Sequence, residues 1–411
     1  MLKMTIRPVL KNLKRKKSSN SRSVYYMKNP LDSDNSMRKP IILSSVLVVS
    51  LFLVCALHNH ASAASSAMRK PITFGVESIS GLRSQEFRPE RAEPVVENDL
   101  IIVASSRKRI VAFDFQGQRR FITPIEFAPV STPAVENGRM YVGGDDGKFH
   151  CLDMAKGTEI WDIDLKSLDF SRPALSTERV IFQTANDRIL ALDRDSGEWR
   201  WEYQHLRGED LAVRGLGPPK LKDGFVYVGL SGGSVVAMEE GNGKLIWKTM
   251  DAFGEQFMDV DAPLEVDETC VYAVSVGGRV SALSRKTGKV FWRYSAGGMA
   301  GMALSGDTIF LATDDAELMA LDKITGRPIW TTELDDRQNI RFIHLPTRPV
   351  VMDGRVITVS RSGRLMALEK TSGEITWTKH FYTDTTSPAI SIPDLGFLFM
   401  DNKGIIRLYR L

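Results

Sequence analysis

One stretch of this sequence, ALDKITGRPIW at residues 320–330, carries a pattern that returns along the chain. It has a small residue, an apolar residue and an acidic residue, then a turn ending in glycine, and an aromatic residue four positions after that glycine. The pattern occurs seven times, with Ser284 in place of the acidic residue in the fifth copy, and six of the seven tryptophans fill its last position. The glycines are Gly117, Gly157, Gly197, Gly243, Gly288, Gly326 and Gly373, and the aromatic residues are Phe121, Trp161, Trp201, Trp247, Trp292, Trp330 and Trp377.

The spacing of these glycines indicates the architecture. Successive glycines are 40, 40, 46, 45, 38 and 47 residues apart, and periods of roughly 40–50 residues with several strands per unit are typical of propeller blades. In the fourth unit, alternation and β-branched residues predict strands at 224–229, 233–238 and 244–248. We expect each glycine to supply a positive φ in its turn, each tryptophan to pack between blades, and each acidic residue to accept turn N–H groups.

The two ends of the chain supply an eighth unit. Residues 404–410 restart the repeat but stop before the glycine and the aromatic residue, and residues 71–76 resemble the missing outer strand, with Phe74 in the tryptophan position. Joining these ends in one blade closes the ring and removes its exposed edges. We therefore predict an all-β protein, an eight-bladed β-propeller of four-stranded antiparallel blades closed by its N- and C-terminal strands.

Charge is distributed unevenly along the chain. Residues 1–63 contain 11 Lys and Arg residues against two acidic residues, whereas residues 64–411 contain 43 basic and 48 acidic residues, a net charge of −5. A mildly acidic body gives no support to nucleic-acid binding, which needs a dense basic face.

The basic leader is predicted to direct export. Arg38 and Lys39 precede an apolar run at residues 40–57, and Ala61-Ser62-Ala63 has the small-x-small pattern of a signal-peptidase site. We predict a leader and signal peptide at 1–63, with Met37 as a candidate true start and cleavage after Ala63, and a propeller at 64–411. An uncleaved membrane anchor is the alternative. Lipidation of Cys55 would need a small preceding residue, and Val54 is there instead.

Motifs that suggest catalysis have simpler explanations. Residues 229–233 spell G-x-S-x-G, but they fall between two predicted strands, where a hairpin turn is expected rather than a nucleophile elbow. No H-E-x-x-H, C-x-x-C or P-loop is present, and Cys151 and Cys270 lie about three units apart, too far for a disulfide in a rigid ring. His205, His344 and His380 follow the aromatic positions of different blades and could share one face. We predict no catalytic residue, no cofactor and no metal ion.

The three longest repeats place their extra residues in one kind of connection. These residues follow the aromatic position and precede the next blade, at 206–220, 250–264 and 333–348. Equivalent connections of a propeller emerge on one face, and enlarged loops there commonly mark a binding face. The predicted docking residues are Leu211, Val213, Arg214, Asp259 and Asp261. The alternative is that the loops pack on each other and Arg214 pairs with an aspartate.

The repeat resembles that of PQQ-type propellers and is more similar to the BamB family, the periplasmic propeller subunits of the outer-membrane β-barrel assembly machinery. The resemblance covers roughly residues 71–411. Its most specific motifs are LAVRG at 211–215 and DVDAP at 259–263, which are similar to the two BamB segments that contact the POTRA domains of BamA. The resemblance implies that the five predicted docking residues form a BamA-facing site.

The resemblance also implies a function. It indicates a non-catalytic, monomeric periplasmic scaffold, peripheral to the outer membrane, that docks BamA and assists the insertion of nascent outer-membrane proteins. Members of the family are normally lipoproteins, and the absence of a lipobox at Cys55 departs from that pattern. The alternatives are a PQQ-dependent dehydrogenase or ligand-binding propeller, and a sensor or adhesin on an uncleaved anchor.

Overall fold

The structure is a computed structural model that describes residues 68, 70–76, 89–90, 92–205, 216–250, 259–276, 278–334 and 345–410. Contacts divide the chain into Met1–Ala64 and Ser65–Leu411, and all described residues belong to the second unit. They form 32 strands in eight separate four-stranded antiparallel sheets. The helical structure among them is one 3₁₀ turn at Ser231–Gly233. The predicted leader lies outside the described residues.

Blades 1 to 7 each contain four consecutive strands, and blade 8 combines the two ends of the described chain. The strands of blades 1 to 4 are β2 (Val95–Glu97), β3 (Leu100–Ser105), β4 (Arg109–Asp114), β5 (Arg119–Pro124), β6 (Ala134–Glu136), β7 (Arg139–Gly143), β8 (Lys148–Asp153), β9 (Glu159–Asp164), β10 (Ala174–Leu175), β11 (Arg179–Gln183), β12 (Arg188–Asp193), β13 (Trp199–Gln204), β14 (Lys220–Lys222), β15 (Phe225–Leu230), β16 (Ser234–Glu239) and β17 (Leu245–Met250). The strands of blades 5 to 8 are β18 (Glu265–Val266), β19 (Cys270–Val274), β20 (Val280–Ser284), β21 (Val290–Tyr294), β22 (Met302–Ser305), β23 (Thr308–Ala312), β24 (Glu317–Asp322), β25 (Pro328–Glu333), β26 (Val350–Met352), β27 (Arg355–Val359), β28 (Arg364–Glu369), β29 (Ile375–His380), β30 (Ile390–Ile392), β31 (Gly396–Met400), β32 (Ile405–Arg410) and β1 (Ile72–Gly75).

Blade 8 closes the ring as predicted. Strand β1 pairs antiparallel with β32, so that Ile72 lies opposite Leu408 and Phe74 opposite Ile406. The sheet order β1-β32-β31-β30 puts the N-terminal strand in the outermost position. Phe74 therefore occupies the place that a tryptophan takes in the other blades.

The hydrophobic core lies between blades. The buried apolar residues of the described chain form eight clusters, and each cluster joins two consecutive blades. The cluster that joins blade 8 to blade 1 contains Phe74, Val103, Phe113 and Leu398. A four-stranded sheet cannot bury both of its faces alone, and the neighbouring blades supply the missing surface.

The repeat motif acts across these blade junctions. Gly326 has φ +70°, and a Cβ atom there would lie 2.3 Å from Trp292 of the preceding blade. The Trp292 indole N–H also donates to the carbonyl of Lys323, at 3.0 Å. Trp292 thus packs on the glycine turn of the next blade and bonds to it. The same contact joins Trp161 to Gly197, Trp201 to Gly243, Trp247 to Gly288 and Trp330 to Gly373, and Phe74 to Gly117, whereas Gly157 meets Thr123 and Pro124.

The acidic residue of the motif organises the turn, as predicted. Asp322 Oδ1 accepts the hydroxyl and the backbone N–H of Thr325, both at 2.7 Å, and these hydrogen bonds lower the pKa of Asp322. Asp153 accepts two turn N–H groups. The pKa values of Asp114, Asp153 and Asp193 are likewise lowered.

A further junction contact was not predicted. A basic residue three positions before the repeat glycine pairs with an acidic residue of the preceding blade. Arg285 lies 2.7 Å from Asp223, and Lys323 lies 3.3 Å from Asp267. Arg194 pairs in the same way with Glu136. These ion pairs join blades on the face of the Gly–Trp turns.

Candidate functional site: the loop face

The face opposite the Gly–Trp turns carries the three long connections. Because strands alternate in direction within a blade, the fourth strand of one blade ends where the first strand of the next begins. The turns between second and third strands lie at the same end. We call this surface the loop face. The described ends of the long connections, at 216–219, 259–264 and 345–349, therefore belong to one face.

Asp259 anchors the second long connection. It is 2% exposed, and its Oδ1 accepts the backbone N–H of Gly232 in the 3₁₀ turn of blade 4, at 2.7 Å. Its carbonyl accepts the N–H of Val276 in blade 5, at 2.9 Å. The next residue, Val260, donates its N–H to the carbonyl of Leu230, at 3.2 Å. The connection is thus fastened to the turns of two adjacent blades.

The first and second long connections meet at their described ends. A Cβ atom on Gly217 would lie 3.1 Å from the Val260 carbonyl oxygen and 3.6 Å from those of Asp261 and Ala262. Gly217 is three residues beyond Arg214. The structure therefore puts the described end of the first long connection directly against the second predicted docking segment, 259–263.

The structure describes two of the five predicted docking residues, Asp259 and Asp261. Leu211, Val213 and Arg214 lie outside the described residues, and so does any pairing of Arg214 with an aspartate. Asp261 is half-buried. Asp259 is buried, so its side chain holds the connection in place rather than facing solvent. Sequence reasoning missed this role because the partners of Asp259 come from two other turns.

The G-x-S-x-G motif is a turn, as predicted. Strand β15 ends at Leu230, Ser231–Gly233 form the 3₁₀ turn, and β16 follows directly. Gly232 and Gly233 have φ values of +69° and +75°. A nucleophile elbow needs a helix at this point, and a strand is there instead.

Histidine side chains can act as metal ligands or as bases. His205 follows β13 and His380 ends β29, so both lie at the loop face, and His344 falls outside the described residues. His150 is 2% exposed, stacks on Phe127 at 3.7 Å, and contacts carboxylates at both ring nitrogens. Among the described residues, no group of three His, Cys, Asp or Glu side chains is placed to hold a metal ion.

Both described cysteines are free thiols. Burial raises the pKa of Cys151 to about 11, so its reactive thiolate form is suppressed near neutral pH. Within the described part of the chain, no helix has both the length and the apolar character to span a membrane.

These features define an eight-bladed propeller with a PQQ-like repeat and an enlarged loop face. Solved structures share the fold. The crystal structure of BamB from Moraxella catarrhalis superposes with a TM-score of 0.67 at 20% identity, over 83% of this chain and 98% of that one. A quinohemoprotein alcohol dehydrogenase from Pseudomonas putida superposes with a TM-score of 0.66 at 12% identity, over 85% of this chain and 77% of that one.

The sequence comparison identifies the family. The family model described as "Outer membrane protein assembly factor BamB" matches residues 126–332 and 325–396, more than half of the chain. The chain therefore belongs to the BamB family, as the repeat predicted. BamB of Yersinia pestis is 24% identical, over 64% of this chain and 67% of that protein, and BamB of Escherichia coli is 26% identical, over 56% and 59%. The prediction that the chain is not an enzyme agrees with this family of assembly factors.

Proposed function

We propose that this protein is a non-catalytic scaffold of the outer-membrane β-barrel assembly machinery that docks the POTRA domains of BamA through its loop face. Membership of the BamB family supports the assembly role. The approach of Gly217 to Val260, Asp261 and Ala262 supports the choice of site, because Gly217 follows the first BamB-like segment, 211–215, by two residues and lies against the second, 259–263. We further propose that the protein acts in the periplasm, peripheral to the outer membrane, after cleavage following Ala63.

The mechanism we propose is geometric. The closed ring holds the loop face rigid, and Asp259 fixes the second connection to the turns of blades 4 and 5. Leu211 and Val213 supply apolar contact and Arg214 a charge, the combination that dominates many protein interfaces. Asp261, half-buried at the edge of the site, completes it.

Charge reversal of Arg214 tests the docking site. We expect Arg214→Glu to reduce capture of purified BamA at least about tenfold, which corresponds to about 1.4 kcal/mol, with unchanged thermal unfolding. The matched control is Arg327→Glu, which reverses an exposed arginine in a turn on the opposite face. Capture of BamA by the wild type and by Arg327→Glu, but not by Arg214→Glu, would support the site. Equal capture by all three proteins would exclude Arg214 from it, and failure of the wild type would refute the docking proposal.

The outer strands support a second part of the proposal, the holding of nascent outer-membrane proteins. Strands β17, β21 and β25 are unpaired sheet edges, and such edges can add a strand of another chain. One large apolar side chain on each of these strands is exposed to solvent: Ile246 is 39% exposed, Phe291 58% and Ile329 53%. The edge strands β5, β9 and β13 likewise expose Ile122, Ile160 and Trp199, and this repetition around the ring favours contact with an extended apolar-patterned chain.

Substitution on these edge strands tests strand addition. We expect Phe291→Lys with Ile329→Lys to weaken binding of an unfolded outer-membrane protein several-fold, measured by fluorescence anisotropy. Ile324→Lys is the control, because Ile324 is 73% exposed but lies in a turn off the strand edge. Unchanged binding by the double variant would contradict a role for these edges.

A further inference from the structure

A cavity of about 380 Å³ lies where the first strands of blades 1, 6, 7 and 8 face one another at the centre of the ring. This volume is within the range of small-molecule sites. Its walls include the apolar residues Val95, Met302, Val350 and Ile390, beside a larger share of polar surface. Glu93, Arg172 and Arg348 precede the first strands of blades 1, 3 and 7, so these three charged residues lie at the loop-face end of the cavity.

Two arginines at this end share one carboxylate. Glu93 of blade 1 lies 3.5 Å from Arg348, which precedes blade 7, and 4.0 Å from Arg172, which precedes blade 3. At these distances neither contact is a strong hydrogen bond. Within the described chain, the Arg172 guanidinium has this single carboxylate beside it. Burial lowers the pKa of Arg172, Glu93 raises it, and Arg348 lowers it further.

The charges at the cavity do not balance. The second acidic residue of the lining, Glu265, is already paired with Lys220 at 3.1 Å. Among the described charged groups here, three are positive and two are negative. The Arg172–Arg348 pair therefore retains one positive charge that no described carboxylate neutralises, and an anion can reach it because the two side chains are 43% and 26% exposed.

We infer that this cavity binds an organic carboxylate, whose charged end lies between Arg172 and Arg348 and whose apolar body lies along Val350 and Ile390. A guanidinium matches a carboxylate in shape and can bind it through two parallel hydrogen bonds. The apolar residues of the wall offer contact to a short hydrocarbon body, which a bare oxyanion cannot use. Glu93 is a competing carboxylate fixed in the protein, so it limits the affinity. The site is independent of the docking proposed above.

Calorimetric titration of the purified protein at low ionic strength tests this inference, with hexanoate as the probe and hexanamide as its neutral counterpart. We expect saturable binding of hexanoate and none of hexanamide. Arg172→Gln and Arg348→Gln should each weaken binding at least about tenfold. Glu93→Gln should tighten it several-fold, because it removes the competing negative charge. Arg200→Gln is the control, since it removes an arginine paired with Asp193 on an outer strand.

The outcomes separate clearly. Equal binding of hexanoate and hexanamide would show that the ligand's charge does not contribute to binding. Inorganic phosphate binding as tightly as hexanoate would show that the hydrocarbon body does not contribute. Wild-type affinity in both arginine variants would overturn the site, as would weaker binding in Glu93→Gln. Thermal unfolding of each variant confirms that it remains folded, so that lost binding reports on the site.

Discussion

Asp267, in the turn between β18 and β19 of blade 5, both organises its own turn and contacts the neighbouring blade. It accepts the backbone N–H groups of Thr269 and Cys270, each at 2.8 Å, and the hydroxyl of Tyr272 at 3.0 Å. Lys323 of blade 6 lies 3.3 Å away. Burial alone would raise the pKa of Asp267, but these partners outweigh it and lower the pKa to about 2.

The lowered pKa predicts a contribution to stability that depends on pH. The folded pKa is below the unfolded value of about 3.9, so the contribution is complete above about pH 4 and is lost as pH falls through about 2. We expect Asp267→Asn to cost about 2 kcal/mol at pH 7 and the difference from wild type to shrink towards pH 2. Urea unfolding at several pH values measures it. Asp307→Asn, whose side chain is 85% exposed, should change little, and a constant difference for Asp267→Asn would contradict this account.

At the scale of the element, the Gly–Trp turn combines two constraints. The turn between β24 and β25 needs a positive φ at Gly326, and Trp292 of blade 5 covers the same glycine so closely that no Cβ atom fits. Gly306, in the turn between β22 and β23, also has a positive φ of 62°, but no atom lies within 4 Å of its Cβ position. The two glycines differ only in the packing.

This difference predicts unequal costs for the same substitution. Gly306→Ala should cost about 1 kcal/mol, the penalty for a left-handed backbone. Gly326→Ala should cost at least about 2 kcal/mol more, because the new methyl group displaces Trp292 from the junction. Chemical denaturation of both variants beside the wild type measures this. Equal losses would mean that Trp292 moves aside without cost.

The elements that repeat were predictable from the sequence, and those that do not repeat were not. Seven copies of one pattern specify the strands, the glycine turns and the tryptophan contacts, and Phe74 marks the strand that completes the eighth blade. The burial of Asp259 depends on Gly232 and Val276, which belong to other units. The meeting of Arg172 with Arg348 depends on the diameter of the ring, which no local pattern encodes.

At the scale of the whole molecule, closure by β1 protects an otherwise open edge. The β1 strand covers β32, whose residues Ile406 and Leu408 are fully buried in the closed ring. Without β1, an apolar edge with unpaired backbone groups would face solvent, which favours pairing with other chains. Cleavage after Ala63 would leave this strand in place.

Truncation tests this role of β1. A chain that begins at residue 77 should form oligomers or aggregates and unfold at a lower temperature. A chain that begins at residue 70 should remain a monomer with the melting temperature of the full-length chain. Light scattering after gel filtration and thermal unfolding measure both properties. If the chain that begins at residue 77 has the same oligomeric state and melting temperature as the chain that begins at residue 70, β1 does not close the ring in solution.

The pairing of β1 with β32 also sets an order on folding. Ribosomes make β1 before all other strands of the propeller, yet its partner is the last strand made. Loop-closure entropy rises slowly with length, by about 0.6 kcal/mol per doubling, so the pairing costs little equilibrium stability. Contacts between distant parts of a chain nevertheless form late. We expect blades 1 to 7 to assemble from local hairpins while the N-terminal segment remains open to proteases, and its protection to mark the moment when β32 has been made.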